Sequence, residues 1–365
     1  MMKVQEIIRC IEEWAPPALQ ESYDNSGLIL GNPNDKVNGV MLCLDVTEEV
    51  VEEAKSKKCN LIVSHHPLIF QPIKRLNGKT QKERTILKLI RSEIALYAAH
   101  TSLDNAEKGI NHALAGLLGV SRLKTLIPKA GLLKKLVTFC PIDHTEKVRK
   151  ALFDAGAGNI GNYDSCSFNL QGTGSFRAND YATPFVGKRN QLHLEPETRI
   201  ETIFPSYLQS RILEALLASH PYEEVAYDIY SLDNDYENVG SGVVGLLNKP
   251  SEPKAFLLKV KKALGIKTLN YSHFTKKSIS RVAICSGSGS FAIMPALAAG
   301  ADALITADVR YHDYQIPEGK LLLIDAGHYE TEVIVKEILF NRLCEKFPNF
   351  AVFMAKKDIN PINRL

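Results

Sequence analysis

Ser64-His65-His66-Pro67 sets two imidazoles side by side, directly after the apolar run Leu61-Ile62-Val63. Neutral imidazole is a ligand for zinc, iron, nickel and copper. Along an extended strand the two rings would point to opposite faces. A turn at Pro67 lets both face one cavity, each on its own metal; a surface pair in a loop is the alternative. His100-Thr101-Ser102-Leu103-Asp104 follows the next run, Ile94–Ala99. Asp104 offers two oxygens that can bridge two divalent ions, or else it caps the helix near 106–118. Asp325-Ala326-Gly327-His328-Tyr329-Glu330-Thr331-Glu332 follows Leu321–Ile324. His328 and Glu332 stand at i and i+4 and share a helical face, either as ligands or as a solvated helix start. Glu330 points elsewhere and favours the helix N-terminus.

Taken together, His65, His66, Asp104, His328 and Glu332 form a five-residue ligand set without a thiolate. A closed structural zinc site uses four ligands. Five, one of them able to bridge, fit two metals with open positions. Such a pair, ~3.5–4 Å apart, activates water and clamps a substrate oxygen. The expectation is two divalent ions per chain, zinc first, with iron, manganese, nickel or cobalt as alternatives. His312, in Asp308-Val309-Arg310-Tyr311-His312-Asp313, and His100 are candidate proton shuttles; ordinary hydrogen-bonded histidines are the alternative. Cys285-Ser286-Gly287-Ser288-Gly289-Ser290 reads as a tight strand–helix turn, or as amides that hold an anion. Tyr23-Asp24-Asn25-Ser26-Gly27 reads as a polar turn able to reach the same cavity. His144, His193 and His220 stand apart from one another and read as surface or core residues.

The elements that must position these residues alternate. Apolar spacing predicts helices over 3–14, 48–57, 80–91 and 110–118, with Thr47 and Thr80 opening the second and third. Short apolar runs at 40–44, 61–63 and 94–99 predict buried strands, hence a parallel sheet gathering the ligands at one edge. Residues 240–365 repeat the style, with strands at 243–247, 282–285, 303–305 and 321–324 and a long helix over 329–346. The middle differs: a strand at 132–139, a helix at 145–155, a hairpin over 165–176, a strand at 191–204, a helix at 206–219 and a strand at 226–231. That β-α-β-β-α-β order is ferredoxin-like. With hinges at 128–130 and 233–242, the expected fold class is α/β. Two α/β lobes (1–130 and 236–365) form one discontinuous metal-binding body around an inserted α+β domain, 131–235.

Composition limits the alternatives. Over 365 residues the hydrophobic share is 45%, the charged share 23% and the net charge +3, globular values that supply no electrostatic reason for a nucleic-acid or membrane partner. The start lacks an apolar signal core. Seven scattered cysteines without a CxxC motif read as reduced core thiols. A cytoplasmic protein is expected.

These motifs resemble the family named GTP cyclohydrolase 1 type 2 homologues, also called Nif-three-like dinuclear metal-centre proteins. The resemblance rests on Tyr23–Gly27, His65-His66-Pro67, His100–Asp104, Ser286–Gly289, Asp308–His312 and Gly327–Glu332, and covers both outer regions. It implies the ligand set given above, a PII-like or CutA-like insert, and a homohexameric ring with sites facing an inner cavity. The function expected is metal-dependent hydrolysis of a nucleotide or phosphate-bearing small molecule, the ligand itself unidentified. A non-catalytic metal-sensing ring regulated through the insert is the alternative. A nucleic-acid-handling ring is the weakest reading.

Overall fold

The computed structural model describes residues 2–363. Its strands are β1 (Gly27–Leu30), β2 (Val40–Cys43), β3 (Leu61–Ser64), β4 (Ala95–Ala98), β5 (Val120–Lys129), β6 (Leu133–Pro141), β7 (Phe168–Arg177), β8 (Leu192–Pro205), β9 (Tyr227–Ser231), β10 (Tyr236–Ser251), β11 (Asn270–Tyr271), β12 (Ile279–Ser288), β13 (Ala303–Ala307), β14 (Leu322–Asp325) and β15 (Val352–Met354). The chain divides into two compact units, one built from residues up to Pro128 and from Asn238 onward, the other from Lys129–Glu237.

The first unit holds two sheets. One has the order β1-β4-β3-β2-β15, in which β15, β2, β3 and β4 run parallel and β1 lies antiparallel to β4. The other has the order β11-β14-β13-β12-β10-β5, with β12, β13 and β14 parallel, β10 antiparallel to β12 and β11 antiparallel to β14. The parallel-sheet expectation therefore holds in the centres and is corrected at β1, β10 and β11. Central strands such as β2 and β3 are buried at every residue and read as continuous apolar runs. β1 is only half-buried throughout and presents no such run.

Burial on both faces is visible residue by residue. Val282, Ile284, Ile305 and Ile324 pack with Leu114 and Phe256, while Ala283, Leu304 and Leu323 pack on the opposite side with Ala292, Ile293 and Ala296. In the other sheet Met41, Cys43, Ile62 and Leu96 pack against Val50 and Leu89 of the helices Glu48–Ser56 and Gln81–Arg91. Both helices start where expected. Thr47 Oγ1 accepts from the Val50 N–H at 3.3 Å and Thr80 Oγ1 from the Glu83 N–H at 3.2 Å, each satisfying an otherwise orphaned donor. Two further expectations need correction. The single helix over 329–346 is two, His328–Glu332 and Val335–Lys346. Near the end of the first, Thr331 Oγ1 bonds back to the Gly327 and His328 carbonyls, a local competition that bends helices. The polar stretch 233–242 becomes strand from Tyr236 on, and β5 runs to Lys129 through the expected hinge. All seven cysteines are free and five are buried.

The second unit follows β6, helix Thr145–Asp154, β7, β8, helix Gln209–Ser219 and β9, in one antiparallel sheet of order β7-β8-β6-β9. Its core joins Leu136, Ile200 and Phe204 of the sheet to Val148, Leu152, Ile212 and Leu216 of the helices. The hairpin expected over 165–176 is instead one strand, paired with β8 along its whole length. Its glycines do not turn the chain, and Gly174 makes room: a Cβ there would collide with the Glu197 carboxylate. Among the described residues no helix is long and apolar enough to cross a membrane.

Candidate metal centre

The chemistry-bearing residues stand at the carboxyl ends of parallel strands, where sites in α/β folds form. They come from both sheets of the first unit, which corrects the expectation of one sheet edge. The backbone bends at His65 and His66, and the two ring centroids come to 5.1 Å. His100 stands 5.3 Å from His65 and 5.5 Å from His66, and His328 5.3 Å from His66. His65, His66 and His100 form one group able to hold a metal ion, and His66, His328 and Glu332 another; within each group the ligand atoms lie within 4.8 Å of one another. His100, read from sequence as a proton shuttle, thus has ligand geometry.

Each imidazole is anchored through Nδ1. His65 Nδ1 lies 2.9 Å from the Ala99 carbonyl, His66 Nδ1 2.9 Å from Asp45, His100 Nδ1 2.8 Å from Asp24 and His328 Nδ1 2.7 Å from Asp308. A carbonyl only accepts, so His65 carries its proton on Nδ1 and presents the Nε2 lone pair inward. Partners of this kind fix ring orientation and raise ligand basicity in metal sites. His65 Nε2 lies 3.5 Å from Asp104 Oδ1 and 3.8 Å from Glu332 Oε2. Glu332 Oε2 also lies 2.9 Å from His66 Nε2 and 3.0 Å from His328 Nε2.

Two buried atoms test whether a cation fits. His65 Nε2 and Asp104 Oδ1 have no hydrogen-bond partner, a deficit of about 1–3 kcal/mol per group. A cation between a lone pair and a carboxylate oxygen would satisfy both. Asp104 closes the short helix Thr101–Asp104, while Gly109 precedes the next helix; the capping alternative is not realised.

Proton affinities follow from the same contacts. Burial, with Glu332 nearby, pushes the Asp104 carboxyl up to about 7 against the pull of His65 and His66. Burial opposes the charged form of His66, but hydrogen bonds with Asp45 and Glu332 overcome it and raise the ring to about 10. The Glu332 contact, helped by Asp308, raises His328 to about 9 despite burial. Burial would raise Glu332 and Asp24; their histidine partners reverse this and hold both well below the usual carboxylate range. A divalent ion replaces such protons on binding.

The remaining loops have defined roles. Gly287, at φ +61°, packs where any Cβ would strike the Glu332 carboxylate. Its N–H donates to Thr331 Oγ1 at 3.1 Å and the Ser286 N–H to Asn111 Oδ1 at 2.8 Å. Those two amides are used inside the protein, and they hold the turn. Asp24 brings the Tyr23–Gly27 turn to His100. His312 lies exposed on the turn Tyr311–Gln315, its ring edge-on to Tyr311 at 5.2 Å; it does not join the cluster. Asp45 escaped the sequence reading, although it follows β2 as the other site residues follow their strands. Its turn is pinned by buried Asp358, which accepts from the Leu44 N–H at 2.6 Å and meets Lys336 Nζ at 3.1 Å.

Fold and site define an α/β protein with a histidine–carboxylate centre able to hold a metal ion. The chain belongs to the DUF34/NIF3 (NGG1p interacting factor 3) family, whose model matches residues 2–361. It is 38% identical over 365 residues to the "GTP cyclohydrolase 1 type 2 homolog" of Halalkalibacterium halodurans, covering 98% of this chain and 97% of that protein. The Bacillus subtilis protein of the same name is 37% identical over 370 residues, covering 99% and 98%. Among solved structures, the Bacillus cereus protein related to NIF3 superposes with a TM-score of 0.87 at 38% identity, covering 100% of this chain and 99% of that one. Staphylococcus aureus protein SA1388 does so at 0.78 and 28%, with the same coverage.

Proposed function

We propose that this chain is a metal-dependent hydrolase of a nucleotide or other phosphate-bearing small molecule, with two divalent ions on His65, His66, Asp104, His328 and Glu332. The observation that supports this best is the pair of buried, unpartnered atoms His65 Nε2 and Asp104 Oδ1 facing each other at 3.5 Å. When bound, the ions would supply Lewis acidity and a water that is nucleophilic near neutral pH. The chain's own residues supply orientation. Ala99, Asp45 and Asp308 hold three rings through Nδ1, so that each Nε2 faces the cavity. Asp24 does the same for His100, leaving its Nε2 to bind a cation or carry a proton. Imidazole and carboxylate donors suit zinc first, then iron, manganese, nickel or cobalt.

Elemental analysis and anomalous diffraction on protein purified without chelator give ion number and identity. Turnover is then measured with GTP, other nucleotides and simple phosphoesters. Two ions and a turnover abolished by Asp104→Asn are expected. Loaded protein inert toward the whole panel overturns the hydrolase reading, and protein that takes up no ion overturns the centre itself. The resemblance extends the proposal to a homohexamer; light scattering that gives a monomer mass removes that part.

A further inference from the structure

The three histidines of the second unit back onto three aromatic rings. His193 lies tilted against Phe176 at 5.3 Å, while His220 meets Tyr222 at 5.0 Å and His144 meets Phe185 at 5.4 Å edge-on. Two of these histidines are themselves tied, His193 Nε2 to Glu195 at 2.7 Å and His220 Nε2 to the Phe139 carbonyl at 2.9 Å. Phe176 and Phe185 lie 6.1 and 6.2 Å from Tyr222, inclined to it by 59° and 48°. The three rings form adjacent walls of a cavity of about 870 Å³, within the ~300–1,000 Å³ of small-molecule sites.

Three glutamates line it, of which Glu223 and Glu224 are exposed and Glu197 is buried. Glu197 is only 9% exposed. Its Oε1 accepts from Tyr222 Oη at 2.8 Å. Among the described residues no donor reaches Oε2, which lies over Gly174, where a side chain would displace it. A buried carboxylate and the negative faces of three rings repel an anion and attract a cation. Two arginines face these three carboxylates from the lining: Glu201 holds Arg199 Nη2 at 2.8 Å, and Arg177 is exposed.

We propose that this cavity binds a small organic cation, a protonated amine or guanidinium whose N–H donates to Glu197 Oε2 while its charge rests on Phe176, Tyr222 and Phe185. The test is calorimetry on the full-length protein with phenethylammonium as probe and 2-phenylethanol as its neutral counterpart. The cation is expected to bind at least tenfold more tightly than the alcohol, and Glu197→Gln to lose at least tenfold of that binding. Phe185→Leu, at a ring that is 52% exposed, is expected to weaken the cation several-fold and keeps the test decisive should Glu197→Gln fail to fold. Equal binding of alcohol and cation, binding unchanged in both variants, or no binding of the cation at millimolar concentration overturns the proposal.

Discussion

Four histidines of the first unit and three of the second are held by their surroundings in different ways. In the first, each ring follows a strand end and is gripped through Nδ1, and His65, His66 and His328 turn Nε2 toward shared carboxylates. In the second, each ring lies against an aromatic neighbour and serves as its backing. The residue type is the same; what grips Nδ1 and what lies across the ring separate a metal donor from a brace. Parallel strands end together and gather polar groups at one place, whereas the antiparallel sheet leaves a face to be lined by rings.

Four perturbations break or sharpen this contrast. Gly287→Ala places a methyl against the Glu332 carboxylate, and elemental analysis is expected to find the metal lost while the second unit unfolds as before. Leu136→Ala acts on the other side. It removes a fully buried side chain from the second unit's core and is expected to destabilise that unit by about 2–5 kcal/mol in denaturant titration, with metal content unchanged. A drop in metal content would show that the two units are not separable in this way. Asp45→Asn weakens the grip on His66, and competition with a chromophoric chelator is expected to show metal affinity reduced by about 10–100-fold.

The smallest effect concerns acid. His220 Nδ1 accepts from the Tyr222 N–H at 3.1 Å while Nε2 donates to the Phe139 carbonyl, so the neutral ring is fully used. Burial holds its pKa below the ordinary 6.5 despite the Phe139 bond and Glu197. The unfolded chain therefore takes up this proton at higher pH than the folded unit. The stability the neutral ring contributes is complete above the ordinary histidine range and is lost as pH falls below about 6.5. Urea midpoints of the second unit between pH 7.5 and 5.5 are expected to fall more steeply in the native chain than in His220→Gln; parallel slopes would remove the effect.

Much of the centre was legible because the residues that form it follow short, almost wholly buried strands. β2, β3, β4 and β14 are apolar runs of a few residues, and His65, His66, Asp104, His328 and Glu332 come soon after such ends. Asp45 obeys the same rule but stands alone, so only its contact with His66 reveals it. β10 was legible only over 243–247, because it begins in a polar, glycine-bearing stretch, and the edge strand β1 is half-buried throughout, so neither repeats over its whole length at a period that patterning can read. The cavity of the second unit was illegible because its rings and acid lie on separate strands and loops. Register alone brings Phe176 opposite His193.

The long sequence separation within the centre also sets a clock. His66 and Glu332, 2.9 Å apart in the finished fold, are separated by 266 residues. At ~5–20 residues per second of synthesis, the paired imidazoles leave the ribosome tens of seconds before their shared carboxylate exists. β15, which completes the first sheet beside β2, and Asp358, which pins the Asp45 turn, follow later still. On the proposed function, metal capture by the whole set is therefore an event of the completed chain, and a nascent chain stalled before residue 320 holds His65, His66, His100 and Asp104 without His328 and Glu332.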